Sequence, residues 1–121
     1  MHIIPEIELS ESQHREITEL RNGCFPEYAV QRSYYKQLPH YRALAYEENS
    51  LVGYMGLDYR VVSVDSEPYK ILGVIDFCVA PKKQGNGLGS EMLSTLISYA
   101  EEKSIDFIML VAELPNIYIK H

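Results

Sequence analysis

Apolar residues recur along this chain with two different periods, and the places where the period changes mark out the elements. Ile3, Ile7 and Leu9 suggest a first strand. Ser10 or Ser12 then stands where a helix N-cap belongs, and the spacing predicts a helix to about Asn22, with Ile17 and Leu20 on its buried side and Gly23 after its end. Phe25-Pro26-Glu27 breaks the chain, and a second short helix is predicted around Val30 to Leu38, carrying Tyr34 and Tyr35. Tyr41 to Glu47, the turn Glu48-Asn49-Ser50 and Leu51 to Val64 read as an antiparallel hairpin. Asp65-Ser66-Glu67-Pro68 is a second turn, and Lys70 to Val79 a third strand of the meander.

After that strand comes Gln84-Gly85-Asn86-Gly87-Leu88-Gly89-Ser90, and the period then lengthens to that of a helix. From about Gly87 to Lys103, Leu88, Met92, Leu93, Leu96, Ile97 and Ala100 form one apolar stripe. Ile105 to Val111 is an almost uninterrupted apolar strand of the kind buried on both faces. A strand, loop, helix and strand in that order require a right-handed crossover, which makes the strand before the loop parallel to the one after it. The prediction is one α/β domain over residues 1–121, of mixed α+β type, in which an antiparallel meander leads into a β-α-β unit.

Composition narrows the partners. Lys and Arg number 11 against 17 Asp and Glu, a formal net charge of −6, which gives no basic footprint for nucleic acid and mildly favours a cationic substrate. No apolar stretch reaches the ~18 residues of a membrane span, and Met1-His2-Ile3-Ile4-Pro5-Glu6 lacks the layout of a signal peptide, so a cytoplasmic protein is expected. Cys24 and Cys78 are too few and too far apart for a disulfide framework. His2, His14, His40 and His121 show no ligand spacing, and no metal centre is expected.

The glycine-rich segment carries the chemistry. Gly85, Gly87 and Gly89 can take positive φ and let another group approach the main chain, and the helix start that follows leaves N–H groups free for an anion. Lys82 and Lys83 add positive charge just upstream. A P-loop needs Lys-Ser/Thr after its second glycine, whereas Leu88 and Gly89 follow Gly87; the dinucleotide fingerprint needs a different glycine spacing and an early βαβ unit. What remains is Gln-x-x-Gly-x-Gly at Gln84, Gly87 and Gly89, preceded by Phe77-Cys78-Val79-Ala80-Pro81. This closely resembles the acyl-CoA-binding segment of the GNAT superfamily of N-acetyltransferases. The element order resembles that family from about Ile3 to His121, and so does the segment Asn116-Ile117-Tyr118-Ile119-Lys120-His121, in which an Asn precedes a Tyr. The family's closing helix and last two strands are missing from the sequence read this way.

The resemblance implies a GNAT-like acyl-CoA N-acyltransferase fold with acetyl-CoA as cosubstrate. The main chain from Gln84 through Gly85, Asn86, Gly87, Leu88 and Gly89 to Ser90 would hold the pyrophosphate, and main-chain groups of Cys78 and Val79 would pair with the pantetheine. The strands Lys70–Val79 and Ile105–Val111 would splay apart, with the Val79 N–H polarising the thioester. Tyr118 would protonate the departing sulfur from a place near a helix start, and Asn116 would cap that helix or touch the pantetheine. Asp76 interrupts an apolar strand, where an unpaired carboxylate is costly. It is either the general base, as an acidic residue on this strand is in many relatives, or is held by a salt bridge with a neighbour such as Arg60 or by hydrogen bonds to main chain. Asp58 and Glu113 are reserve bases.

An acetyl-cysteine on Cys78 lacks a nearby His to activate it, so direct attack in a ternary complex is favoured. The implied function is acetyl transfer to a primary amine of a small molecule or peptide. The alternative is a catalytically silent CoA-binding or regulatory module of the same fold, with a Rossmann-type nucleotide binder behind both. A strand Ile105–Val111 without an outer neighbour would expose an apolar edge, which predicts a homo-oligomer such as a dimer, or a shortened version of a longer product.

Overall fold

The computed structural model describes residues 1–111 and the backbone of 117–120. The elements are β1 (His2–Pro5), α1 (Glu11–Cys24), β2 (Tyr41–Glu47), β3 (Ser50–Val64), β4 (Glu67–Val79), α2 (Leu88–Glu102), β5 (Phe107–Val111) and β6 (Ile117–Lys120). They form one mixed sheet in chain order, β1-β2-β3-β4-β5-β6. Among the described residues only β4 and β5 run parallel, as the crossover through α2 requires.

Local chemistry explains most of these limits. Ser10 caps α1 in a reciprocal box: its Oγ accepts from the Gln13 N–H at 3.2 Å while Gln13 Oε1 accepts from the Ser10 N–H at 2.9 Å. The helix runs through Gly23, its expected stop, to Cys24. Both hairpin turns have positive φ at two successive residues, 50° and 67° at Glu48 and Asn49, and 51° and 68° at Asp65 and Ser66. That pattern matches the twist of the strands it joins.

The helix expected over Val30–Leu38 does not form; the segment contains neither helix nor strand. Its main chain is held by distant side chains instead. Asn22 accepts from the Val30 N–H at 3.2 Å and donates to the Val30 carbonyl at 2.7 Å, while Arg42 donates to the Ser33 carbonyl at 3.0 Å.

Two apolar layers cover the sheet. On the α2 side, Ala43, Met55, Leu57, Leu72, Val74 and Ile108 bury Met92, Leu96 and Ala100. On the α1 side, Leu44, Tyr54 and Cys78 pack against Ile17. Buried Arg42 lies on the α1 side too, pairing with Glu6 at 2.7 Å and donating to the Tyr54 hydroxyl at 3.2 Å.

The outer edge of β5 is covered by β6, which pairs antiparallel from Ile108↔Lys120 to Val111↔Ile117. This corrects the expectation of a bare β5 edge, because four residues after β5 suffice to continue the ladder. It also corrects the position of Tyr118, which lies in a strand rather than near a helix start. No helix is long and apolar enough to cross a membrane among the described residues.

Leu96 is fully buried in the α2 layer. Leu96→Ala is expected to lower unfolding stability by about 2–5 kcal/mol, and Ser10→Ala by about 1 kcal/mol, both measured by denaturant titration.

Candidate active site

The site begins where β4 parts from its neighbour. Pairing of β4 with β5 runs from Ile71↔Phe107 to Val74↔Leu110 and stops there, so among the described residues the β4 segment beyond Val74 has only β3 beside it. Register across the sheet puts Tyr118 level with this parting, since Leu110 faces Val74 on one side and Tyr118 on the other. Asn116 and Glu113 lie outside the described residues.

A bulge interrupts β4 just past the parting. Ile75 pairs with Gly56 and Cys78 with Tyr54, so one more residue is accommodated on β4 than on β3, and Asp76 takes φ 52°. The extra residue swaps the faces of the strand. Before it, Leu72 and Val74 point to the α2 layer; after it, Phe77 and Val79 do so, and Cys78 turns to α1.

The same phase decides which main-chain groups are open. Ala80 N–H donates to the Val52 carbonyl at 2.7 Å, which makes Gly53↔Val79 the non-hydrogen-bonded pair next to it. Val79 therefore directs its N–H and carbonyl away from β3, towards the opening, and by the same alternation so does Phe77. Cys78 directs its main chain to Tyr54, so of the two positions expected along a pantetheine only Val79 presents backbone, joined by Phe77. The Val79 carbonyl already accepts from Gln84 Nε2 at 3.0 Å and from the Cys24 thiol at 3.3 Å.

The glycine segment closes the opening at one end. Gly85 and Gly87 both have φ 83°, a Cβ on either would meet nothing within 4 Å, and Gly87 is the N-cap of α2. Gly89 serves differently: its Cα faces the Phe77 ring and Val79 side chain, where a Cβ would sit 3.6 and 3.7 Å from them. Among the described residues, the N–H groups of Gly85, Asn86, Gly87, Leu88, Gly89 and Ser90 have no acceptor; the first turn is closed only by Glu91 N–H to the Gly87 carbonyl at 3.0 Å. An anion at such a start gains roughly 0.3–1 kcal/mol, more when partly buried. Gln84 spends its amide on strand β4 and Lys83 pairs with Glu47 at 2.9 Å, whereas Lys82 is exposed. This open, unpartnered main chain fits a diphosphate.

Asp76 is paired, though not with Arg60. Arg21 Nε donates to its Oδ2 at 2.8 Å, and Arg21 is 1% exposed. The same guanidinium donates to the Tyr28 carbonyl at 2.8 Å and lies 5.7 Å from the Phe25 ring and 5.3 Å from the Tyr35 ring. Tyr28 and Tyr35 meet edge to face at 5.3 Å. Tyr34, the neighbouring aromatic, lies against the Arg32 guanidinium instead. Arg60 pairs with Asp58, whose carboxylate is also reached by Gln37 at 3.1 Å and His40 at 2.9 Å. Sequence reasoning missed Arg21. Its signal was a basic residue one helical turn after Ile17, on the face that must be buried.

It also missed Cys24, which α1 delivers to the end of β4. Hydrogen bonding from the Cys78 thiol lowers the Cys24 thiol to about 7 against the opposing effect of burial. Cys78 is pushed up, first by that same contact and then by burial. Alkylation by iodoacetamide should therefore modify Cys24 with a pH midpoint near 7, below the usual thiol range, while Cys78 stays unmodified in the folded protein. Peptide mapping across pH 5–9 reads this out.

Comparison with known proteins gives the same site a context. Among solved structures, a conserved protein of unknown function from Enterococcus faecalis V583, described as a probable N-acyltransferase, superposes with TM-score 0.71 at 11% identity over 90% of this chain and 28% of its own. The aminoglycoside acetyltransferase meta-AAC0020 from an uncultured soil metagenomic sample, in complex with sisomicin, gives 0.68 at 18% identity, covering 93% of this chain and 76% of that one. A GNAT family acetyltransferase from Brucella melitensis, in complex with acetyl-CoA, gives 0.65 at 17% identity with the same coverages, 93% and 76%. These likenesses show the fold, and the chain spans less than a third of the first of these proteins. No curated protein matches the sequence. The family profile described as Acetyltransferase (GNAT) family matches residues 9–119, from the approach to α1 through β6, and the chain belongs to that family, whose cosubstrate is acetyl-CoA.

Proposed function

We propose that this chain transfers the acetyl group of acetyl-CoA to a primary amine of a small molecule or peptide, by direct attack in a ternary complex. The observation that carries the proposal is the run of unpartnered N–H groups from Gly85 to Ser90 at the end of an open strand edge. The diphosphate of CoA would lie on those N–H groups, and the pantetheine along the Phe77 and Val79 main chain. The Val79 N–H would polarise the thioester carbonyl. Asp76, with one oxygen held by Arg21, offers the other to the proton of the attacking nitrogen. As the N–C bond forms and the C–S bond breaks, Tyr118 gives its proton to the thiolate sulfur.

Membership of the family supports this reading, as does the Brucella melitensis structure with acetyl-CoA. The complex of meta-AAC0020 with sisomicin supports an amine acceptor. Homo-oligomerisation belongs to the same proposal, though its basis moves. With β5 covered, an open edge remains on β3 beyond Leu57, where β2 stops pairing and Tyr59, Val61 and Val64 are exposed. A cytoplasmic setting completes it, since thiols in contact stay reduced there.

Calorimetric titration is expected to show acetyl-CoA binding to the wild-type chain, and thiol release should follow on adding a panel of amines. Binding without release would assign the chain to the alternative, a CoA-binding module of the same fold; no binding would overturn both. Gly87→Val, which forces a β-branched residue to φ 83°, should abolish acetyl-CoA binding while the far-ultraviolet circular dichroism is kept. Sedimentation should show a dimer at micromolar concentration that Val61→Lys dissociates.

A further inference from the structure

The bulge in β4 is held from outside the strand. Asp76 is a non-glycine residue at φ 52°, and the side chain that fixes it comes from α1, 55 residues earlier in the chain. From these contacts we infer that Arg21 is the positioning residue of the site: through Asp76 it sets the bulge that turns the Phe77 and Val79 main chain to the opening. The inference rests on the proposed use of that edge by acetyl-CoA, and concerns a residue that touches neither substrate.

Three observations converge on it. Arg21 is buried, and its guanidinium reaches Asp76 in the bulge while the Tyr28 carbonyl, Asn22 and the Phe25 and Tyr35 rings hold it there. A regular β4 would need no positive φ at residue 76, so the strand gains nothing locally from this conformation, and a partner must hold it. Without the extra residue the faces of β4 would not exchange. Phe77 and Val79 would leave the underside of α2, where they now pack against Gly89, and Cys78 would take their place. One ion pair thus fixes both the phase of the strand edge and the seat of the glycine-rich helix start above it.

Glycine separates this role from the carboxylate's own. At residue 76 it adopts positive φ without an anchor, whereas alanine does not. In calorimetric titration of the full chain with acetyl-CoA, Asp76→Ala is expected to weaken binding about tenfold or more, and Asp76→Gly to stay within about twofold of wild type while losing turnover. Arg21→Gln should likewise weaken binding about tenfold when Asp76 is present, but have little further effect in the Asp76→Gly background, and Arg21→Lys should recover part of the loss. Equal losses from Arg21→Gln in both backgrounds, or equal losses from Asp76→Ala and Asp76→Gly, would overturn the inference. If Arg21→Gln fails to fold, the Asp76→Ala and Asp76→Gly pair alone decides in the same terms. Absence of acetyl-CoA binding by the wild-type chain would overturn the proposed function itself, whereas wild-type binding that Arg21→Gln leaves unchanged overturns only the positioning role.

Discussion

One buried ion pair, between Arg21 on α1 and Asp76 on β4, governs how the two halves of this protein meet. A guanidinium with 1% exposure is tolerable only where its donors are satisfied, and here a carboxylate, a carbonyl and two aromatic rings surround it. The pairing places charge in the layer between helix and sheet and attaches it to the one residue of β4 in a left-handed conformation. A local cost of order 1–3 kcal/mol in the backbone is thereby offset by contacts that only the folded chain can supply.

The rest of the sheet builds an abrupt end to regular pairing. From Ile71 to Val74, β4 is a central strand flanked on both sides, with Leu72 and Val74 in the α2 layer. Beyond it one flank is open among the described residues, and Gly85 and Gly87 bring a helix start to it without side chains in the way. Polar backbone groups left without partners are rare in folded proteins. Among the described residues they are gathered in two adjoining places, the Phe77 main chain with the Val79 N–H and the N–H run from Gly85 to Ser90, which is the physical basis for reading the place as a binding site rather than a turn.

Much of this was legible in the sequence because it is written locally. The two hairpins follow from alternating apolar positions and short polar turns, α2 from its stripe of Leu and Met, and the turn before it from Gly85 and Gly87, which take the positive φ the sequence suggested. What escaped is non-local. Val30–Leu38 has helical composition, but Asn22 and Arg42 occupy its backbone groups from elsewhere in the chain. Asp76 announced itself as an anomaly in an apolar strand, yet its partner was chosen by the packing of α1 and not by proximity in β3. Tyr118 was expected near a helix start and lies in a strand, because a four-residue strand owes its existence to the neighbour it lies against.

The carbonyl of Val79 faces the opening, but Gln84 and Cys24 already donate to it. Its lone pairs are claimed before any ligand arrives, while among the described residues the N–H of the same residue remains unclaimed. At Val79 a visitor is therefore greeted by hydrogen and refused by oxygen. An acceptor settles at that residue at little cost, whereas a donor has first to evict a side chain of the protein itself or move along the edge to Phe77.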